Sequence, residues 1–344
     1  MPEKDIVILG IESSCDDTSV AVVKNQTLLS NVTANQKIHE EYGGVIPELA
    51  SRAHQANIIP TLDKALKTAQ ITLDDINAIA FTKGPGLLGS LLVGTSFVKG
   101  LALSLKKPLI GIDHMQGHIL AHYIMQQGKE HKQPSFPFLC LTVSGGHSQI
   151  VLVKDYFDME LVGQTKDDAA GEAFDKIAKM LGLPYPGGPH IDKKAQLGNP
   201  RAFDFPISDM PEYSYSFSGI KTAVLYFLQK NMKDNPHFIE HHLNDICASA
   251  QYTIIKMLLQ KLKKAALNLN IREIAISGGV AANSELRKQL TLLAEEKNWN
   301  TYFPEMQFCT DNGAMIAIAG YFKYVQQEFD TLNVLPQARL KFFE

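Results

Sequence analysis

Two widely separated stretches of the chain share one grammar. Residues 5–23, DIVILGIESSCDDTSVAVV, run as an apolar strand, a polar turn rich in Ser and Asp, and a second apolar strand. Residues 138–153, FLCLTVSGGHSQIVLV, repeat that order around a Gly-rich turn at Ser144 to His147. Each pattern predicts a β-hairpin. Their recurrence, with little residue identity between them, predicts a duplicated architecture.

The segments downstream of each hairpin set the fold class. After the first come an amphipathic segment over about 45–69, the strand AIAFTKG, a small-residue helix LLGSLLVGTSFVKGLALSL and the strand KPLIGID. After the second come the helix AAGEAFDKIAKMLGL, a segment PYPGGPHID read as irregular because of its Pro and Gly, the long helix NDICASAQYTIIKMLLQKLKKAALN, and strand, Gly turn and helix in IREIAISGGVAANSELRKQLTLLAEE. FCTDNGAMIAIAGYFKYV reads as a loop capped at Thr310 or Asp311 that enters a helix. Strands alternating with helices predict α/β layers with mixed sheets. A chain of 344 residues suits two domains. The boundaries expected are 1–113 with about 322–344 for an N-lobe and 114–321 for a C-lobe.

Bulk charge narrows the partners. A net charge of -3 excludes a generally basic nucleic-acid binder, so a polyanion must be met by a local patch or with another subunit. The segment KMLLQKLKK is one such patch or a solvated surface. The four cysteines, Cys15, Cys140, Cys247 and Cys309, form no CxxC pair, which argues against a zinc knuckle or a disulfide framework and for a reducing compartment. The N-terminal apolar run of six residues is short for a signal peptide, and no window reaches the roughly 20 apolar residues of a membrane helix. The expectation is a cytoplasmic protein that uses no membrane.

The stretch GIDHMQGHILAH sets His114, His118 and His122 four residues apart. That spacing stacks imidazoles on one helical face, where two can reach one ion. A third ligand must come from elsewhere, and Asp311 is the candidate carboxylate. The alternative is two ordinary helix histidines and a helix N-cap. A peptidase of the HExxH type needs a glutamate where Met115 and Gln116 stand.

Ser144, Gly145 and Gly146 form a turn able to approach an anion or carbonyl, with positive φ open to the glycines. Gly278 and Gly279 form a second such turn, followed by Asn283, which can bond a purine edge or a ribose. YPGGPHID adds Gly187, Gly188 and Asp192, and GEAFDK adds Asp175, carboxylates suited to ribose hydroxyls. Each of these also reads as a plain turn or a solvated helix face. No GxxxxGK[ST] loop is present. Glu12, Asp16 and Asp17 gather on the first hairpin turn, either to orient a nucleophile or metal or as a polar tip. Cys15 reads as a packed side chain, and Ser216, Ser218 and Lys221 as anion contacts.

In order along the chain, GIESSCDDTSVAVV, GPGLLGSLLVG, DHMQGHILAH, VSGGHSQIV, DDAAGEAFDKIAKMLGLPYPGGP, YSFSGIKTAV, SGGVAANSELR and CTDNGAMIA closely resemble the universal tRNA threonylcarbamoyltransferase family, whose bacterial form is called TsaD. The resemblance implies an actin-like (sugar-kinase-like) α/β fold of two ribonuclease-H-like lobes with a cleft between them. It implies transfer of threonylcarbamoyl from threonylcarbamoyl-AMP to N6 of the adenosine beside the anticodon in tRNAs reading codons that start with A. The metal ligands it implies are His114, His118 and Asp311, for one divalent ion, Fe(II) or Zn(II). The donor-binding positions it implies are Thr142, Val143, Ser144, Gly145, Gly146, Asp175, Gly188, Asp192 and Asn283. His122 is outside the ligand set, as a neighbour of the site or a solvent-facing residue. Asp16 and Asp17 are candidates for steering the attacking amine. A paralogous actin-like subunit (TsaB-like) and a small ATPase (TsaE-like) are implied partners. The rival readings are an actin-like small-molecule kinase using ATP and magnesium, a metallopeptidase and a non-catalytic assembly scaffold.

Overall fold

In a computed structural model that describes residues 5–36 and 38–340, both hairpins form and each seeds a sheet. The first unit comprises residues 1–133 and 304–344, the second residues 134–303. Unit one holds β1 (Val7–Glu12), β2 (Thr18–Lys24), β3 (Thr27–Ala34), α1 (Ile38–Tyr42), α2 (Pro47–Ala69), β4 (Ala78–Gly84), α3 (Leu88–Leu105), β5 (Leu109–Asp113) and α4 (His114–Leu120). Unit two holds β6 (Phe138–Val143), β7 (Ser148–Val153), β8 (Met159–Gln164), α5 (Ala170–Met180), α6 (Gly187–Ala195), α7 (Ser218–Asp234), α8 (Phe238–Leu269), β9 (Glu273–Ser277), α9 (Ser284–Lys297) and β10 (Asn300–Tyr302). The chain then returns to unit one with α10 (Met306–Cys309) and α11 (Gly313–Val325).

The sheets are duplicates in topology. Unit one runs β3-β2-β1-β4-β5, and unit two runs β10-β9-β6-β7-β8. In both, the first three strands meander antiparallel and the last two join parallel beside the first. That order is the ribonuclease-H-like one. β1 and β6 are buried along their whole length because each is central and covered on both faces, so they read as continuous apolar runs. In unit one, Leu9, Ile11, Val20, Val22, Ile79 and Phe81 pack with Ile58 and Leu62 of α2 and Val98 of α3. On the opposite face lies α11, whose approach depends on glycine. A Cβ on Gly10 would stand 2.4 Å from the Gly313 carbonyl oxygen, and one on Gly320 2.4 Å from the Ala80 Cβ.

Three sequence expectations change. Residues 187–195 form helix α6, not an irregular loop. Pro189 lies in its first turn, where the missing N–H has no intrahelical partner to lose. Residues 114–133 and 304–321 group with the first unit instead of the second, because α4 grows directly out of β5 and α11 lies on β1, β2 and β4. Finally, α3 is by length and composition apolar enough to cross a membrane. Here it packs against α2 and β4 and buries Leu91, Val98 and Ala102.

Candidate metal centre and donor loops

The end of β5 starts the site. Asp113 caps α4 through Oδ1, which accepts the amides of Met115 at 2.7 Å and Gln116 at 3.1 Å. His114 and His118 therefore fall one turn apart on one face, ring centroids 4.7 Å apart and edge to face. Both are buried. The α-helix stops at Leu120, and His122 lies in a 3₁₀ turn over Ala121–Tyr123, fully buried, so it does not face solvent.

Asp311 arrives from the other side. The N-cap of α11 is its neighbour Asn312, whose Oδ1 accepts the Met315 amide at 3.0 Å. Neither Thr310 nor Asp311 caps the helix, which leaves the Asp311 carboxylate for the histidines. Its Oδ1 stands 3.2 Å from His118 Nε2 and 3.4 Å from His114 Nε2. One donor atom from each of the three residues lies within 4.8 Å of the others. The close seat of α11 on β1 and β2 sets this convergence, helped by the Gly313 amide, which donates to Ser19 Oγ at 2.8 Å.

A buried carboxylate stands behind His114. Glu12 Oε1 accepts the Ser14 amide at 2.5 Å, and Oε2 faces Thr82 Oγ1 at 2.5 Å and His114 Nδ1 at 3.2 Å. Burial works against charge on His114, but Asp311 and Glu12 outweigh it and raise the imidazole well above its usual range. Burial likewise pushes Asp311 up, and the two histidines reverse this and hold its carboxyl far below the usual range. Glu12 is also held low, by His114 against its burial. An imidazole between two carboxylates demands positive charge, which a proton or a divalent cation can supply.

The donor set fits a metal. Ligand atoms about 2.0–2.1 Å from one ion stand about 3.0–3.4 Å from each other, and both histidine-to-Asp311 separations meet that. Two imidazoles and one carboxylate suit zinc or ferrous iron. The two rings are held unequally: His118 Nδ1 is buried with no hydrogen-bond partner among the described residues, whereas His114 Nδ1 has Glu12 and Ser14.

The first hairpin turn borders this group. Burial, then Asp311 and Asp16, push the Asp17 carboxyl up to about 7, against a hydrogen bond from Asn35 Nδ2 at 2.8 Å. Burial and the nearby carboxylates push the Cys15 thiol far up, which agrees with a packed side chain. His54, which the sequence did not single out, pins the turn: its Nε2 lies 3.0 Å from the Cys15 carbonyl oxygen and its Nδ1 2.8 Å from Thr18 Oγ1. The one signal for it was a histidine on the apolar face of an amphipathic helix.

In unit two most of the expected donor-binding residues have internal partners. Thr142 is fully buried and bonds Ser277 Oγ across the sheet at 2.9 Å, and Val143 is also buried. At the β6–β7 turn Ser144 Oγ accepts the His147 amide at 3.1 Å, leaving Gly145 and Gly146 exposed with open space around both. Neither glycine takes positive φ. Gly278 does, at φ +85, and its α-carbon packs so closely that a Cβ would stand 2.5 Å from the Val143 carbonyl oxygen. Asp175 accepts the Gly187 amide at 2.7 Å at the start of α6, with its carboxyl raised by burial. Gly188 faces open space. Asp192 accepts the Ser284 amide and hydroxyl at 3.0 and 2.8 Å. Asn283 caps α9 through the Leu286 amide at 2.9 Å and donates to Gln251 at 2.8 Å. The expected anion contacts Ser216 and Ser218 donate instead to Asp167, and Lys221 pairs with Asp168.

Comparison with known proteins assigns this arrangement to a family. The family model TsaD, tRNA N6-adenosine threonylcarbamoyltransferase, matches residues 27–318. The chain belongs to this family. A relative from Phocaeicola vulgatus, a tRNA N6-adenosine threonylcarbamoyltransferase, is 58% identical over 96% of this chain and 97% of its own. One of the same name from Christiangramia forsetii is 57% identical over 99% of this chain and 100% of its own. Full-length HypF, solved in a phosphate- and nucleotide-bound form, is similar with a TM-score of 0.63 and 14% identity, over 94% of this chain and 47% of that one. That likeness speaks for the fold alone. With the two ribonuclease-H-like sheets, it makes the TsaD-family fold here actin-like.

Proposed function

We propose that the protein transfers the threonylcarbamoyl group from threonylcarbamoyl-AMP to N6 of the adenosine beside the anticodon in tRNAs reading codons that begin with A, releasing AMP. Family membership supports the reaction, and the convergence of His114, His118 and Asp311 is the observation that carries the chemistry. These three residues would hold one Fe(II) or Zn(II). Such an ion supplies Lewis acidity toward the carbamoyl carbonyl. The amine of the adenosine attacks that carbonyl carbon, the bond to the adenylate phosphate oxygen breaks, and the amine's proton leaves. AMP is a good leaving group, so holding the two reactants in place matters more than a strong base. Asp16 and Asp17 are proposed to steer the amine, and burial, which raises the Asp17 carboxyl, suits it to accepting a proton.

The turn at Thr142–Gly146 with Asp175, Gly188, Asp192 and Asn283 is proposed to hold the adenylate. The openness around Gly145, Gly146 and Gly188 supports this, and the backbone amides of Gly145 and Gly146 are the donors because most of the side chains already have partners and the Gly188 amide bonds Asp175. A paralogous actin-like subunit and a small ATPase are proposed partners, consistent with a net charge of -3 that favours shared binding of tRNA. A cytoplasmic setting is proposed from four cysteines that form no CxxC pair. The test is transfer of labelled threonylcarbamoyl from its adenylate to unmodified tRNA, with and without the two partners. Labelled adenosine is the expected result. Unlabelled tRNA with intact adenylate under every condition contradicts the proposal and favours a kinase or a scaffold.

A further inference from the structure

The part of this site that its ligands do not explain is Glu12, a fully buried carboxylate whose two oxygens meet three groups. Its polarity is fixed on one side. Oε1 takes the Ser14 amide, a donor that cannot reverse, and Oε2 faces Thr82 Oγ1 and His114 Nδ1. A carboxylate accepts only, so it favours the proton of a neutral His114 on Nδ1 and leaves the lone pair on Nε2, the nitrogen that faces Asp311. We propose that Glu12 is a positioning residue that locks His114 in the tautomer able to ligate a metal, acting through the imidazole without touching substrate or ion. The inference rests on His114, His118 and Asp311 being metal ligands. It gives His114 the outer partner that His118 Nδ1 lacks among the described residues and makes His114 the pre-organised ligand of the two.

A glutamine at this position changes hydrogen-bond polarity with almost no change in shape. Its one oxygen must stay on the Ser14 amide, so its NH2 group turns toward Thr82 and His114. Thr82 can answer by rotating its hydroxyl. His114 can keep its Nδ1 proton only by giving it to Ser14 Oγ, 3.2 Å away, beside an NH2 group that repels it, and otherwise moves the proton to Nε2, which then cannot bind a metal. Thr82→Val is the control, since it removes a bond from the same buried carboxylate without presenting a donor to Nδ1.

The experiment measures Zn(II) affinity of the full chain by competition with a chelator for wild type, Glu12→Gln and Thr82→Val, with thermal unfolding of each metal-free protein. The expected result is affinity about 10- to 100-fold weaker in Glu12→Gln and near wild type in Thr82→Val. Equal affinity in wild type and Glu12→Gln overturns the inference. So does an equal loss in both variants, which would make Glu12 a packing residue. A wild-type protein that binds no zinc removes the metal reading itself. Should Glu12→Gln fail to fold, nitrogen NMR of the zinc-loaded wild type decides: a proton on His114 Nδ1 supports the inference, and one on Nε2 overturns it.

Discussion

Replacing Gly313 with alanine tests how the fold delivers Asp311. The added Cβ would stand 2.7 Å from the Ala21 nitrogen, 2.8 Å from the Val20 carbonyl carbon and 3.0 Å from the Gly10 oxygen, where ordinary contact begins at 3.4 Å. All three are backbone atoms of the central strands, which cannot rotate aside. The start of α11 must therefore lift by about 0.7 Å, an overpacking that costs about 1–3 kcal/mol. It also strains the bond from the Gly313 amide to Ser19. Metal ligands tolerate displacements of about 0.2 Å, so a lift of this size at the helix that follows Asp311 disturbs the site more than the fold. The expected result is a metal-free protein that still unfolds cooperatively at a lower temperature and binds Zn(II) about tenfold or more weakly. Reduced stability with wild-type zinc affinity would refute the claim that the seat of α11 places Asp311. Wild-type values in both would refute the packing argument.

Neighbouring residues should separate capping from ligation: Asn312→Ala loses the α11 cap and about 1 kcal/mol of stability, whereas Asp311→Ala abolishes zinc binding without a capping loss. Thermal unfolding and zinc titration of the pair check this, and a zinc loss confined to Asn312→Ala would reverse the assignment. Asp167→Ala removes the acceptor for the Phe217 amide at 2.8 Å and for the Ser216 and Ser218 hydroxyls. It should cost about 1 kcal/mol in thermal unfolding at neutral pH, and an unchanged melting temperature would count against a stabilising role for these hydrogen bonds. In the metal-free protein, the raised His114 contributes stability that is full below its ordinary pKa of 6.5 and is lost as pH rises through its folded value. The depressed Asp311 contributes stability present above its ordinary 3.8 and lost on acidification below it. Zinc must displace the His114 proton, so its affinity should rise with pH above neutrality; titrations at several pH values that show a flat or falling affinity would contradict this.

The fold was legible where side-chain pattern and burial agree. Continuous apolar runs gave β1 and β6 their central places, and the repeated hairpin grammar announced two sheets of one topology. The α6 helix was hidden because Pro and Gly were weighed as breakers, although a proline in a first turn costs no hydrogen bond. Unit boundaries were hidden for a different reason. No local signal says that α11, which starts at Gly313, closes onto β1, which ends at Glu12, because that contact depends on glycines whose meaning is tertiary.

The site was partly legible in the same way. Four-residue spacing showed that His114 and His118 share a face, but the sequence reading put the cap of the next helix at Thr310 or Asp311 and did not weigh Asn312. The geometry gives the cap to Asn312 and so frees Asp311. Glu12 was visible only as one acid among several on a turn, and its role depends on Thr82 and His114, which lie far away in sequence. Several donor-loop residues that looked available in sequence turn out to brace their own loops, as Asn283 and Asp175 do.

The most direct test of metal-dependent transfer is labelling of unmodified tRNA with threonylcarbamoyl by wild type and by His118→Ala, each stripped of metal and then titrated with Fe(II) or Zn(II) in the presence of the two proposed partner proteins. Wild type is expected to label adenosine only after metal is restored, and His118→Ala to stay inactive at metal concentrations that saturate wild type. Full transfer by the metal-stripped variant would contradict the central claim.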